Sequence, residues 1–521
     1  PLPFFTPSSF SYISPSLYTT MTSLRSRQQQ SLLSILTTTK KTNTASVASV
    51  AGSPATPPSW HVLIYDEFVQ RLIAPLLSVS QLRSAGVTLH LSLGSTRSAI
   101  PAADAVYLVC ATDEAITTIL TDVRRTMYRG YYLNFIGTLS DQQLTTLAEG
   151  MAAMGAQSAV RCVAERHLGF VSLEDDLFHL AMAQSFLAFH DRRVSDAAAE
   201  AQLDRVVTGL YGVVATLGVL PVIRAPRNGA ADMIASRLAA RLAAAHAADP
   251  DKSTLVSATR PLLIIVERTV DTAGVLHHPW AYGPLVADVL GARDNRVTLP
   301  DEATSHDLSV ESDAFWQKFR GAPFQEVAAG VKEALDDYRR EADKVSEVAG
   351  GSGGDEGVLR DQTASLASFV STIPELRRRK AQLDAHTAIA TALLNAIKAR
   401  QLDAFYRVEE NPDAAELRRL VADPAATVED KLRLLAIARL TDLLPNAVAD
   451  EAVEQLTQEV GDDPAARRLI AGYHYAAQLH SQQLQLAAAT PSSTGSSSAG
   501  GASTSGSLLA SLSTGSSSTR P

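Results

Sequence analysis

The chain has 521 residues, a formal net charge of −9, 46% hydrophobic and 19% charged residues. A mildly acidic balance with scattered basic residues argues against a general nucleic-acid binder, and no run of about 18 consecutive apolar residues offers a membrane span. Cys110 and Cys162 are the only cysteines, which excludes a disulfide scaffold and a Cys-rich zinc site and suits a reducing cytosol.

Pro1 opens the chain, and Met21 in MTSLRSRQQQ is the expected initiator. Residues 38–58 are rich in Thr, Ser, Ala and Pro and read as a linker, while the preceding SLLSILT suits one or two helical turns. VLIYD at 62–66 is an apolar run of the kind a buried parallel strand needs. Phe68, Leu72, Ile73, Leu76 and Leu77 follow at helical spacing. Strands are expected at 87–93, 105–110, 131–137 and 160–164. Between them, helices are expected at 113–127, capped by Thr112 or Asp113, and at 140–154, capped by Ser140 and followed by Gly155. Strand–helix alternation at this spacing implies a doubly wound parallel sheet. A second α/β region carries the apolar stretches 209–223 and 262–267 and an Ala-rich helix at 228–247.

Past residue 281 the period becomes helical. Long helices are expected at 324–346 and 374–402, the second with Pro374 in its first turn, separated by the flexible GGSGGDEG loop. Further helices are expected at 413–421, 429–444, 449–459 and 463–484. The Ser/Gly/Thr/Ala tail from 490 buries too little apolar surface to offset its ordering entropy.

No catalytic signature appears. The Gly-rich loop lacks a following Lys and a preceding strand, so it is no phosphate cradle, and there is no G-x-G-x-x-G, G-x-S-x-G or H-E-x-x-H. His277 and His278 are adjacent and therefore diverge rather than share a metal. Glu174, Asp175 and Asp176 read as a loop or helix-start acid cluster more readily than as an acid–base pair. A long α/β chain without site chemistry points to a binding scaffold.

Eight segments in order resemble the SM (Sec/Munc) family of syntaxin- and SNARE-binding proteins, in particular its ER–Golgi, Sly-type branch. They include WHVLIYDEF (60–68), PLLSVSQLRSAGVTLHLSL (75–93), YYLNFIG (131–137), LEDDLF (173–178) and TLGVLPVIRAPRNGAADMIA (216–235). The others are RPLLIIVERTVDTAGVLHHPWAY (260–282), FWQKFRGAPFQEVA (315–328) and ELRRRKAQLDAHTAIATALLNAIKARQLD (375–403). The resemblance implies α/β plus all-α architecture: a three-domain arch with two parallel-sheet α/β domains and an inserted helical domain. The expected division is a disordered extension at 1–58, α/β domain 1 at 59–166 and the first segment of α/β domain 2 at 167–280. Helical domain 3 follows at 281–485, then a disordered tail at 486–521. Where the family returns to complete domain 2, this chain runs into the Ser/Gly tail, so a truncation or a wrong gene model is expected. A truncated sheet is expected to expose an apolar face and an unpaired edge.

The resemblance also implies a pocket for an aromatic anchor of a syntaxin N-terminal peptide, formed by Leu144, Leu147, Ala148, Val160 and Val163. Positions 144, 147 and 148 make one helical stripe, and Ala148 leaves room for a ring. By residue pattern alone the same stripe is core packing onto a sheet, and 160 and 163 differ in strand parity. Residues 331–402 would template SNARE helices. Leu376, Leu383, Ala390 and Ile397 recur every seven residues and equally suit packing within their own bundle. The basic run Arg377, Arg378, Arg379 and Lys380 suits an acidic partner or a solvated face. Trp60, Trp280 and Trp316 are expected as structural anchors, and the two cysteines as small buried hydrophobes. The implied function is non-enzymatic promotion of SNARE assembly in ER–Golgi transport. The implied protein is a cytoplasmic monomer with no cofactor and no nucleic-acid partner, held peripherally on ER/Golgi membranes and vesicles by its syntaxin and other SNAREs. The alternatives are an exocytic, vacuolar or endosomal SM protein, or an α/β hydrolase or nucleotide-dependent enzyme.

Overall fold

The computed structural model describes residues 23–45, 60–191, 193–248, 260–300, 305–350 and 359–489. It divides into two compact units, Pro1–Val266 and Glu267–Pro521.

The first unit opens with helix α1 (Leu24–Ala45). A parallel sheet follows, built from β1 (His61–Tyr65), β2 (Val87–Ser92), β3 (Ile100–Cys110), β4 (Tyr128–Ile136) and β5 (Val160–Arg166). Its spatial order is β2-β1-β3-β4-β5. Short helices α2 (Glu67–Ile73) and α3 (Val79–Ser84) cross to one face, and α4 (Asp113–Arg124) and α5 (Asp141–Ala153) cover the other. Alternate residues of β3 explain this layering. Val106 and Leu108 pack with Leu72 and Leu82 on the first face, and Tyr107 and Val109 pack with Ile119 and Leu147 on the second.

The stretch 1–58, expected to be disordered, is corrected over 24–45. Leu32, Ile35 and Leu36 of α1 enter the first core. Buried Arg25 donates to the carbonyls of Pro75 (2.5 Å) and Leu173 (3.2 Å). Gln28 donates from Nε2 to Phe170 O (2.7 Å) and accepts from Ser172 N (3.2 Å), so its amide mimics a strand partner for that segment. The polar look of RSRQQQ concealed this, because the polar groups bond to buried backbone and the apolar residues fall on one face. Gln28→Ala is expected to cost about 1–3 kcal/mol by leaving two buried backbone groups unpaired, measured as a fall in the urea midpoint of the first unit.

The hairpin β6 (Val171–Ser172) and β7 (Phe178–His179) leads through α6 (Ser185–His190) to α7 (Asp196–Leu217), β8 (Val222–Arg224), α8 (Ala230–Ala248) and β9 (Leu262–Ile264). The 209–223 stretch is thus the end of a helix plus a strand. Strands β8 and β9 pair in parallel as a two-stranded sheet. Ile223, Leu263 and Ile265 pack toward α7 and α8, while Val222, Leu262 and Ile264 are exposed on the opposite face.

The second unit is largely helical. It comprises α9 (Tyr282–Leu290), an antiparallel pair β10 (Arg296–Thr298) and β11 (Ser305–Asp307), then α10 (Ala314–Phe319), α11 (Phe324–Gly350) and α12 (Leu359–Arg400). After these come α13 (Leu402–Glu410), α14 (Ala414–Ala422), α15 (Val428–Leu440), α16 (Asn446–Val460) and α17 (Pro464–Ala489). Pro374 lies inside α12 rather than in a first turn, where its ring forgoes one intrahelical bond. Past Gly350, the Gly-rich loop at 351–358 lies outside the described residues, as does the tail from 490. Leu383 and Ile397 are buried in the unit's own core, and Ala390 packs against it. Trp316 is buried and Trp280 stacks on Tyr406 at 5.1 Å, whereas Trp60 is 41% exposed and outside the hydrophobic clusters of the first unit. Both cysteines are free and half-buried, Cys110 as the last residue of β3 and Cys162 on edge strand β5.

Candidate functional site

Helix α5 and strand β5 form one side of the first unit. Ser140 starts α5 with a capping box: Gln143 N donates to Ser140 Oγ (3.2 Å), and Ser140 N donates to Gln143 Oε1 (3.0 Å). Gln143 Nε2 also donates to Asp113 Oδ1 (2.8 Å), fixing α5 beside α4. A Cβ at Gly150 would stand 2.7 Å from Leu120, so the two helices are pressed together there. Gly155, at φ +62°, ends the helix in the left-handed conformation that glycine adopts without strain. Ser140→Ala is expected to destabilise the first unit by about 1 kcal/mol, measured by denaturant titration.

Along α5 the expected stripe divides. Leu147 is buried and belongs to the core with Phe135 and Met151. Leu144 is 42% exposed, and Ala148 is exposed beside it. The residue-pattern reading as core therefore holds for Leu147 alone.

Strand β5 answers the parity difference. Tyr131 pairs with Val160 and Tyr132 with Cys162, so Arg161 is an extra residue at a register shift. Past the shift, Val163 pairs with Leu133, which lies on the α5 face together with Tyr131. Val160 packs against that same core, while Cys162 packs on the opposite face. The bulge thus turns Val160 and Val163 to one side. Val163 is 47% exposed on an edge strand. Glu165 Oε1 accepts from Leu139 N at 2.8 Å, tying the entry of α5 to β5. Leu144 and Ala148 are thus exposed beside buried Leu147 on α5, and Val163 is exposed on β5 with Val160 half-buried. These five apolar side chains can take an apolar anchor and themselves carry no nucleophile or base.

A second cluster lies in the helical unit. His278 Nδ1 meets Glu409 Oε1 at 2.6 Å and its Nε2 meets Asp430 Oδ1 at 3.1 Å. Asp430 also accepts from Arg400 Nε (2.9 Å) and Thr427 Oγ1 (2.7 Å). Burial alone would lower the His278 pKa, but its bonds to Asp430 and Glu409 overcome this and hold it above the ordinary value. Burial opposes the charge on Asp430 too, yet His278, Arg400 and Thr427 hold its carboxyl well below the usual range. His278 points into this cluster, and the backbone carbonyl of His277 accepts from Arg433 Nη2 at 3.0 Å. Among the described residues no group of His, Cys, Asp and Glu could hold a metal ion. Sequence reasoning missed the cluster because His278 lies 131 residues from Glu409 and 152 from Asp430.

A Sec1 family model matches residues 61–518. The chain belongs to the Sec1 family. Its relatives include "Sec1 family domain-containing protein 1" of Homo sapiens, 38% identical over 446 residues and covering 78% of this chain and 69% of the relative. The Mus musculus protein of the same name is 40% identical, covering 73% and 66%. "Protein sly1 homolog" of Drosophila melanogaster is 34% identical, covering 79% and 70%, which sets this Sec1 protein in the Sly branch. The chain spans about two thirds of the length of these relatives. Among solved structures, Sly1p in complex with an N-terminal peptide of Sed5p is similar at a TM-score of 0.70 and 26% identity, covering 88% of this chain and 75% of that one. Vps45 in complex with the Qa SNARE Tlg2 shares the fold at a TM-score of 0.68 and 20% identity. The α/β plus all-α class read from the sequence is the class these Sec1 proteins share. Among the described residues, no helix is long and apolar enough to cross a membrane.

Proposed function

We propose that this Sec1 protein binds the N-terminal peptide of an ER–Golgi syntaxin and promotes SNARE assembly in vesicle docking and fusion. The observation that carries the reading is the exposed apolar surface of α5 and β5. Leu144 and Ala148 are exposed on α5 beside buried Leu147, and Val163 is exposed on β5 with Val160 half-buried, on a fold similar to that of a protein solved with such a peptide. The mechanism is capture of an aromatic anchor by a preformed apolar site, with binding energy and no covalent step. Residues 59–166 would hold the peptide. Residues 331–402, a range that takes in most of α11 and all of α12, would present the surface on which SNARE helices pair. In the basic run, Arg378 pairs with Glu375 at 2.7 Å and Arg379 with Glu341 at 2.5 Å, which favours a solvated face for those two. Recruitment to ER/Golgi membranes would come through the SNARE partner. Fluorescence anisotropy of a labelled syntaxin N-terminal peptide, titrated with the full chain, tests the reading. Saturable binding is expected, and a flat titration with folded protein would overturn it.

A further inference from the structure

Arg241, on α8, touches the surroundings of the candidate peptide site from outside it. Its Nη1 donates to Thr208 Oγ1 on α7 at 2.9 Å, and its Nη2 donates to Thr138 Oγ1 at 2.9 Å. Its guanidinium also lies over the Tyr211 ring, 4.6 Å from the centroid. Thr138 stands in the connection between β4 and α5, two residues before the Ser140 cap. Tyr211 in turn meets the His167 ring edge-on at 4.9 Å, and His167 is the first residue after β5. One guanidinium therefore reaches the start of α5 directly and the end of β5 through one ring. Burial, then the charge of Arg241, lowers the His167 pKa, so a neutral ring meets Tyr211.

A second, independent contact runs the same way. A Cβ on Gly212 would stand 2.7 Å from His167 O, and one on Gly209 would stand 3.0 Å from Gly169 O. Helix α7 thus lies directly on the backbone leaving β5, with no room for a side chain between them. The α7–α8 layer is a rigid backrest for the two elements whose spacing defines the apolar surface.

We propose that Arg241 is a positioning residue for peptide binding, setting α5 against β5 through Thr138 on one side and through Tyr211 and His167 on the other. The proposal rests on the reading of α5 and β5 as the peptide site. A planar fork can hold two hydroxyls and stack on a ring at once, which a lysine ammonium does not reproduce.

The test titrates the labelled syntaxin N-terminal peptide with the full chain and four variants: Thr138→Val, Thr208→Val, Arg241→Gln and Arg241→Lys. Thr138→Val removes one exposed hydroxyl at constant shape, so the fold is retained. Thr138→Val and both Arg241 variants are expected to weaken binding about three- to tenfold, the worth of a lost bond. They should also speed amide exchange in 141–153. Thr208→Val, which cuts only the tie between α7 and α8, is expected to stay within about twofold of wild type. Wild-type affinity in Thr138→Val and Arg241→Gln would overturn the proposal. So would equal losses in Thr138→Val and Thr208→Val, which would signal general loosening of the layer. A wild-type chain that fails to bind would instead overturn the underlying site reading, which is a separate result.

Discussion

Replacing Asp430 with alanine is expected to cost the helical unit about 3–5 kcal/mol, because it leaves buried cationic groups without their partner. Arg400 and Thr427 bond this carboxylate, and His278 bridges it to Glu409. The loop carrying Leu276–His278 is held to α13 and α15 by these bonds and by Arg433, which donates to Leu276 O at 2.9 Å and pairs with Asp288. The readout is the urea midpoint followed by Trp280 and Trp316 fluorescence in a Trp60→Phe background. The pH profile carries a second sign. His278 is held above its ordinary 6.5, so its contribution is complete below that value and is lost as pH rises through the folded pKa. Asp430 is held below its ordinary 3.8, so its contribution is complete above that value and is lost as pH falls through the folded pKa. Wild-type stability should therefore fall on both limbs, and Asp430→Ala should flatten the acid limb. An unchanged acid limb in the variant would remove Asp430 from the account.

Val163→Lys and Leu144→Lys are each expected to weaken syntaxin-peptide binding by about thirtyfold or more, the loss typical of a central anchor position. Both side chains are more than two-fifths exposed, so the substitutions leave the core intact, and thermal midpoints should stay close to wild type. Leu147→Lys is a poorer probe. Leu147 is 4% exposed within the sheet core, and a lysine there destabilises the unit whatever the peptide does. Full affinity in the Val163→Lys protein would place the peptide elsewhere.

Strands β1, β3 and β4 were legible as apolar runs, and β2 (VTLHLS) and β5 (VRCVAER) as shorter stretches that mix apolar with polar residues. Ser140 and Gly155 mark the ends of α5 in the sequence as they do in the structure. Of helix α1 only the SLLSILT turns were legible, since its polar residues bond to carbonyls up to 190 positions away, as Arg27 does to Leu217. The five site residues were named from family likeness, and periodicity alone assigned the α5 stripe to the core. The shared side of Val160 and Val163 depends on a bulge at Arg161, and no local pattern announces a one-residue register shift. The His278 cluster and the Arg241 bridge are products of tertiary folding between distant helices, so neither spacing nor composition could signal them.

Amide hydrogen exchange of the full chain with and without the syntaxin N-terminal peptide tests the central claim most directly. Protection is expected in 141–153 and 160–166, where α5 and β5 carry Leu144, Ala148, Val160 and Val163. Protection confined to other segments, with 141–153 and 160–166 exchanging as in the free protein, would contradict it.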